Sequence, residues 1–147
     1  MPTPLFVRQN LNWNAEPNAP DPHIIFDGDG LHLRFFLNAF VFQEFQEEEL
    51  GIIRFECVAK YRLGRTNDEG WRRGQCRFSG LAPTWGEFYS VIADPDLLDA
   101  PTDWHHKQGN WKGLVHFLFY FRDQTFECVA RRWAFSQTPE NALLRLK

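Results

Sequence analysis

The chain has 147 residues, 44% of them hydrophobic, including 15 Phe, 6 Trp and 3 Tyr. A chain of this length and apolar content can bury a core of its own, so we expect residues 1–147 to form a single domain. The formal net charge of −3 gives no positive field, which disfavours nucleic acid or an anionic membrane as the partner. The three cysteines, Cys57, Cys76 and Cys128, lack a C-x-x-C spacing, so neither a disulfide framework nor a zinc knuckle is indicated.

The beginning of the chain differs from the rest in composition. Residues 1–22 hold five of the nine prolines, mixed with asparagines and with apolar side chains such as Trp13. Because proline fixes φ and lacks an N–H donor, we expect an extended, irregular arm that lies against its own domain or a neighbour's. The segment lacks the pattern of a signal peptide, and no run is long enough to span a bilayer. We therefore predict a soluble, cytoplasmic protein.

A hairpin signal follows the arm. In HIIFDGDGLHLRFF, two apolar runs flank residues 27–30, which read DGDG, and this arrangement predicts two strands joined by a tight turn. An EF-hand loop beginning at Asp27 would need a carboxylate at its twelfth position, which is Asn38, so we predict no calcium site. The next segment, QEFQEEEL over residues 43–50, predicts a turn or one short helix with a solvated charged face.

Residues 51–63, which read GIIRFECVAKYRL, alternate in the manner of a strand with one solvent-facing side. The pattern places Phe55, Cys57, Ala59 and Tyr61 on one side. Residues 71–81 predict the strand that returns beside it after a polar turn.

The segment APTWGEFYSVIAD, over residues 82–94, is ambiguous. Thr84 and Glu87 could form a helical capping box, whereas residues 87–92 are rich in β-forming side chains, and we predict a strand there. Pro95 after Asp94 predicts a single helical turn, and the residues that follow, up to residue 113, predict a loop.

The segment LVHFLFYF, over residues 114–121, is apolar on both faces except for His116. This pattern predicts a central strand that is shielded on both sides. After a turn at residues 122–125 the chain predicts another strand, and Thr138 with Pro139 predicts the start of a short C-terminal helix.

The hexapeptide FECVAK begins at Phe55, and FECVAR begins at Phe126. The similarity does not extend further at a fixed offset, so it does not indicate a duplication. We expect two strands in similar surroundings, each with its Phe, Cys and Ala on the core face. The turn at 122–125 predicts the cross-strand pairs, which are Phe121 with Phe126, Phe119 with Cys128, Phe117 with Ala130, Tyr120 with Glu127, Leu118 with Val129 and His116 with Arg131.

These elements predict a mainly-β fold. We expect an antiparallel β-barrel or a two-sheet β-sandwich of about seven strands, with short helical turns and a short C-terminal helix. The alternative is an α+β fold, if residues 84–100 are helical.

One candidate ligand pocket lies on the second face of the strand at 114–121. An apolar surface with a few convergent polar groups is typical of a small-molecule site. The candidate residues are His116, Tyr120, Glu127 and Arg131, with His32 and Arg34 from another strand. The competing interpretation is structural, because a buried His beside an acid and a neutralised Glu–Arg pair are both common in cores.

Two loops are candidates for partner binding because Trp and Arg dominate protein interfaces. Their candidate residues are Trp71, Arg72, Arg73, Trp104, His105 and Trp111. The competing interpretation is that the tryptophans fold back as lids over the strand ends.

We find no signature of catalysis. The chain has no G-x-S-x-G motif, no cysteine lies in a recognisable catalytic context, and His105-His106 lack metal-ligand spacing. We therefore predict no catalytic residue, metal or cofactor. We expect a non-enzymatic β domain that binds a partner protein through the Trp/Arg-rich loops, or a second copy through the arm. The alternative is a small-molecule binder or enzyme that uses the pocket around His116.

Overall fold

The structure is a computed structural model, and it describes residues 5–64, 86–92, 104–107, 109–121 and 124–139. It contains eight β-strands, which are β1 (Leu5–Arg8), β2 (His23–Asp27), β3 (Gly30–Phe36), β4 (Glu49–Gly64), β5 (Phe88–Ile92), β6 (His105–His106), β7 (Val115–Tyr120) and β8 (Thr125–Pro139).

All eight strands belong to one antiparallel sheet. Its order is β1-β5-β7-β8-β4-β3-β2, and β6 pairs with β4 beside the end of β3. The prediction of a mainly-β antiparallel fold is confirmed. The described strands form a single open sheet, with β1 and β2 at its two ends, rather than a closed barrel or two stacked sheets.

The sheet is strongly curved around its aromatic core. Phe35 on β3 and Phe119 on β7 are three strands apart, a distance of about 14 Å in a flat sheet. Their ring centroids are only 5.0 Å apart. The concave face is therefore strongly curved, and it buries a cluster of rings formed by Phe35, Phe55, Phe88, Phe117, Phe119, Phe121 and Phe126.

The N-terminal arm completes this core. β1 pairs with β5, so the arm is in part a regular strand and lies on its own domain. Trp13 is only 6% exposed and stacks on Phe135, with ring centroids 4.1 Å apart and planes 5° apart. An apolar side chain of the arm thus fills the space between the two curved halves of the sheet.

A buried carboxylate fixes the arm in place. Glu87 accepts hydrogen bonds from the side-chain amides of Asn10 and Asn14, the latter at 2.9 Å. Asn10 Oδ1 in turn accepts the backbone N–H of Phe88 at 3.1 Å. These bonds satisfy polar groups that would otherwise be costly to bury.

The predicted central strand is confirmed. β7 lies between β5 and β8, and the side chains from His116 to Tyr120 are buried on both faces. The predicted strand over 87–92 is also confirmed as β5. The hairpin at residues 27–30 is confirmed, with Asp27 opposite Gly30.

The predicted register of the last hairpin is wrong by one residue in each strand. Phe119 pairs with Phe126, Phe117 with Cys128 and His116 with Val129, because the strand pairing ends with Tyr120 opposite Thr125. Phe121 N–H donates to the carbonyl of Gln124 at 2.8 Å, directly beyond that pair. The sum of the paired residue numbers changes by two, so each side chain stays on its predicted face.

The two copies of the hexapeptide have different conformations. In the second copy, Phe126, Cys128 and Ala130 are all fully buried in the core, as predicted. Burial raises the pKa of the Cys128 thiol well above its usual value. In the first copy, Val58 occupies the core instead of Cys57, and Cys57 has a φ of 56°.

The prediction that Cys57 and Ala59 share the core face of Phe55 is therefore wrong. β4 contains a bulge between Val58 and Lys60, which changes the facing of the residues around it. The Val58 N–H donates to the carbonyl of Asp29 in the β2–β3 turn at 3.0 Å. This contact with another hairpin accounts for the local change in direction.

The described residues contain no helix. Residues between Asn38 and Glu49 form turns and bends, and β8 continues through Thr138 and Pro139, where a helix start was predicted. The rest of that predicted helix, the helical turn at 94–100 and the strand at 71–81 lie outside the described residues. Within the described ranges, no helix has the length and apolarity needed to cross a membrane.

Candidate functional site

The second face of β7 and β8 carries a buried ionic cluster, which we call the Glu127 cluster. Glu127 Oε1 lies 2.8 Å from His116 Nε2, and Glu127 Oε2 accepts a hydrogen bond from Arg62 Nη1 at 2.7 Å. The side chains of His116 and Glu127 are each 1% exposed, and that of Arg62 is 16% exposed. The cluster ties β7, β8 and β4 together on the side of the sheet away from the aromatic core.

Trp104 covers this cluster. The centroid of its ring lies 6.1 Å from that of the His116 ring, and Lys60 Nζ lies 4.6 Å from the centroid of the Trp104 ring. Of the residues expected to bind a partner, Trp104 therefore packs inward as a lid. The adjacent His105 is exposed and stacks on Tyr61 at 5.2 Å.

The other candidates of the partner-binding loops have two outcomes. Trp111 is partly buried in the turn that precedes β7. Trp71, Arg72 and Arg73 lie outside the described residues.

The structure brings together only part of the predicted ligand pocket. His116, Tyr120 and Glu127 share a face, and all three are buried. Arg131 is exposed. It lies between Ala130 and Trp133, which both contact the core, so the strict alternation of core-facing residues along β8 is interrupted there.

The remaining two candidates, His32 and Arg34, lie on β3, which β4 separates from β8. His32 Nε2 is 3.1 Å from Asp27 Oδ2 in the neighbouring hairpin strand. These two side chains therefore do not join the cluster around His116.

The chemistry of the Glu127 cluster favours a structural role. A carboxylate that holds an imidazole could orient a general base, but a base must reach a substrate, and His116 is almost fully buried. A carboxylate held by an arginine and hydrogen-bonded to an imidazole is instead an arrangement that allows a buried charge. Among the described residues, no group of three or more His, Cys, Asp or Glu side chains could hold a metal ion.

A cleft at the other end of the sheet has the features of a binding site, and we call it the acidic cleft. It encloses about 580 Å³ between the arm, the end of β3 and the loop before β4. The volume is in the range typical of ligand sites. Its lining residues are apolar or acidic, and they are Glu16, Ala19, Phe36, Leu37, Ala39, Phe40, Phe45, Glu47 and Glu48.

Two large apolar side chains at the acidic cleft are exposed to solvent. Phe40 is 71% exposed and Val41 is 65% exposed. Their backbone N–H groups both donate to Asn38 Oδ1, at 3.1 and 3.3 Å, in a local turn that a buried Asn commonly forms. The exposed side chains are thus presented by a fixed turn, which reduces the entropy lost when a partner binds.

The acidic edge of the cleft includes a residue with an uncommon backbone conformation. Glu48 has a φ of 65°, in the left-handed region that costs a non-glycine residue about 1 kcal/mol. The next residue, Glu49, accepts the backbone N–H of Gln46 through its side chain at 3.3 Å. The loop is therefore shaped by its own polar contacts.

Sequence reasoning missed the acidic cleft. It treated residues 43–50 as a solvated charged face, although Phe45 lies among the acidic residues and Phe40 and Phe42 come directly before them. The proximity of these three phenylalanines to the glutamates was the available signal. The contribution of the arm could not be seen, because the bridge between Ala15 and Leu37 is a tertiary contact.

Comparisons with models of known protein families, with curated proteins and with solved structures found no match to this chain.

Proposed function

We propose that this protein is a binding domain whose acidic cleft receives a basic and apolar segment of a partner protein. The observation that carries the proposal is the combination of an apolar floor, an acidic edge and two exposed apolar side chains on a fixed turn. An exposed apolar patch bordered by polar residues commonly marks an interaction surface.

Charge complementarity selects the kind of partner. Glu47 and Glu48 line the cleft, Glu44 lies in the same loop, and Glu49 is the first residue of β4. A segment with Lys or Arg beside Leu, Ile or Phe would pair with the carboxylates and bury Phe40. Such pairing contributes to specificity and to the association rate more than to affinity, and it weakens with salt.

The surface differs from the one that the sequence suggested. Trp104 packs against His116 and is not free to contact a partner across its whole ring. The acidic cleft, in contrast, combines open volume with exposed apolar area, and it therefore supports a protein-binding function better than the Trp104 loop does.

The test is selection of random dodecapeptides displayed on phage against the immobilised protein. We expect enrichment of sequences with Lys or Arg adjacent to large apolar residues. A synthetic peptide of the enriched sequence should lose at least tenfold in affinity against Phe40→Ser, measured by fluorescence anisotropy, because the main apolar contact is removed.

The matched control is Leu11→Ser, since Leu11 is also 71% exposed but does not line the cleft. It should leave the affinity unchanged, whereas Glu47→Gln combined with Glu48→Gln should weaken binding and reduce its salt dependence. Enrichment of acidic peptides, or equal binding to Phe40→Ser, would contradict the proposal.

A further inference from the structure

A second cavity opens where the arm meets β5, β7 and β8, and we call it the Arg131 cavity. It has a volume of about 400 Å³, and its lining residues are Gln9, Ser90, Val115, Phe117, Arg131, Arg132 and Trp133. It shares no residue with the acidic cleft. Phe117 belongs to the aromatic core and Trp133 packs against it, so the inner wall of the cavity is aromatic.

The polar groups of this wall are arranged by hydrogen bonds. Trp133 Nε1–H donates to Gln9 Oε1 at 3.3 Å, and Gln9 Nε2–H donates to Ser90 Oγ at 3.0 Å. In this series of hydrogen bonds, Ser90 Oγ accepts from Gln9. The Ser90 hydroxyl can still donate its own proton, and no described residue accepts it.

The charge in the cavity is positive. Arg132 is occupied, because its Nε donates to Glu56. Arg131 is exposed and forms no ion pair with another described residue. No acidic side chain lines the cavity, so the two groups available to a ligand, the Arg131 guanidinium and the Ser90 hydroxyl, are both donors.

We propose that the Arg131 cavity binds a small planar aromatic carboxylate. The ring would lie against Phe117 and Trp133, where aromatic contacts are favourable. The carboxylate would accept hydrogen bonds from Arg131 and Ser90, of the charge-assisted kind that the guanidinium fork forms best. Val115 also lines the cavity, and the volume suits a ligand of one or two fused rings.

The test uses 1-naphthoate as the probe and 1-naphthylmethylammonium as its counterpart of opposite charge. Each is titrated into the ¹⁵N-labelled protein and followed by two-dimensional amide NMR. We expect naphthoate to shift the Trp133 indole N–H and the Ser90 and Val115 amides, and we expect the ammonium probe to leave them unchanged.

Two variants sharpen the assignment. Arg131→Gln should weaken naphthoate binding about tenfold, the expected loss of one charge-assisted hydrogen bond. Arg54→Gln removes an exposed arginine outside the cavity and should leave binding unchanged. Both positions are exposed, so we expect both variants to fold. The dispersion of the amide signals in the NMR spectrum checks that they do.

The proposal is overturned if naphthoate shifts only residues outside the cavity, if the ammonium probe binds the cavity equally well, or if Arg131→Gln binds naphthoate with unchanged affinity. These results are independent of the peptide selection on the acidic cleft, because the two cavities have no lining residue in common.

Discussion

The two copies of the hexapeptide differ most in what surrounds their glutamates. Glu56 and Glu127 each pair with an arginine of the other long strand, Arg132 and Arg62 respectively. Glu56 is partly exposed at the surface, and its hydrogen bond with Arg132 lowers the pKa of the carboxyl group. Glu127 is fully buried and also contacts His116. One motif thus supplies a surface ion pair in β4 and the centre of a buried cluster in β8.

The difference arises from the neighbours of each strand. The first copy meets the β2–β3 turn, where the Asp29 carbonyl accepts the Val58 N–H and Lys107 Nζ donates to the carbonyls of Gly28 and Gly30. The second copy lies between β7 and the C-terminal half of β4, and its pairing with β7 is continuous from Thr125 to Ala130. Tertiary contacts therefore decide the conformation of a short segment over its own preference.

The largest expected effect separates the two glutamates. We expect Glu127→Ala to lower the free energy of unfolding by about 3–5 kcal/mol, because Arg62 and His116 would remain buried without their carboxylate. Glu56→Ala should cause no resolvable change, since exposed ion pairs contribute little. Urea unfolding of the two variants measures the difference, and equal losses would show that the two environments are energetically alike.

A smaller effect tests the contact between the turn and the bulge. A Cβ atom at Gly30 would lie 2.1 Å from the Phe55 carbonyl oxygen, so we expect Gly30→Ala to cost about 3 kcal/mol through a backbone shift. Gly28→Ala is the control, because its Cβ would meet no atom within 4 Å. Its φ of 61° lies in the left-handed region, so we expect Gly28→Ala to cost about 1 kcal/mol from backbone conformation alone.

Thermal unfolding of both glycine variants provides the measurement. A cost at Gly30 no greater than the cost at Gly28 would mean that the turn does not pack closely on β4. It would also contradict the inference that contact with the β2–β3 turn causes the bulge in β4.

The smallest expected effect separates the cysteines. Cys128→Ser places a hydroxyl among phenylalanines and should cost about 1–2 kcal/mol. Cys57→Ser should cost less than about 1 kcal/mol, because Cys57 Sγ already lies 4.0 Å from Asp29 Oδ2 and a hydroxyl could donate to that carboxylate. Chemical denaturation at neutral pH measures both variants, and a larger loss at Cys57 would contradict the assigned environments.

Features that depend on local chemistry could be predicted from the sequence. The hairpin at Asp27 has turn residues between apolar runs, and β7 has apolar residues on both faces. The β7–β8 register could not be predicted, because a change of two in the pairing sum keeps every side chain on its face. The hydrophobic pattern therefore contains no information that distinguishes the two registers.

The candidate site was predictable only in part. His116 and Glu127 could be assigned to one face because residues of β7 and β8 alternate. Their partner Arg62 could not be identified, because it comes from β4 through a strand pairing that the sequence does not specify. The acidic cleft combines the arm with the loop after β3, and the position of that arm depends on Trp13 and on hydrogen bonds from asparagine side chains to Glu87.

The stacking of Trp13 on Phe135 also has a consequence for the order of folding. The tryptophan is synthesised well before the ring that it covers, because Phe135 belongs to β8. The hydrophobic centre therefore stays incomplete until β8 has been synthesised. Contacts between such distant parts of a chain are associated with slow folding, from milliseconds to seconds, and the nascent protein must keep its aromatic rings from aggregating during that interval.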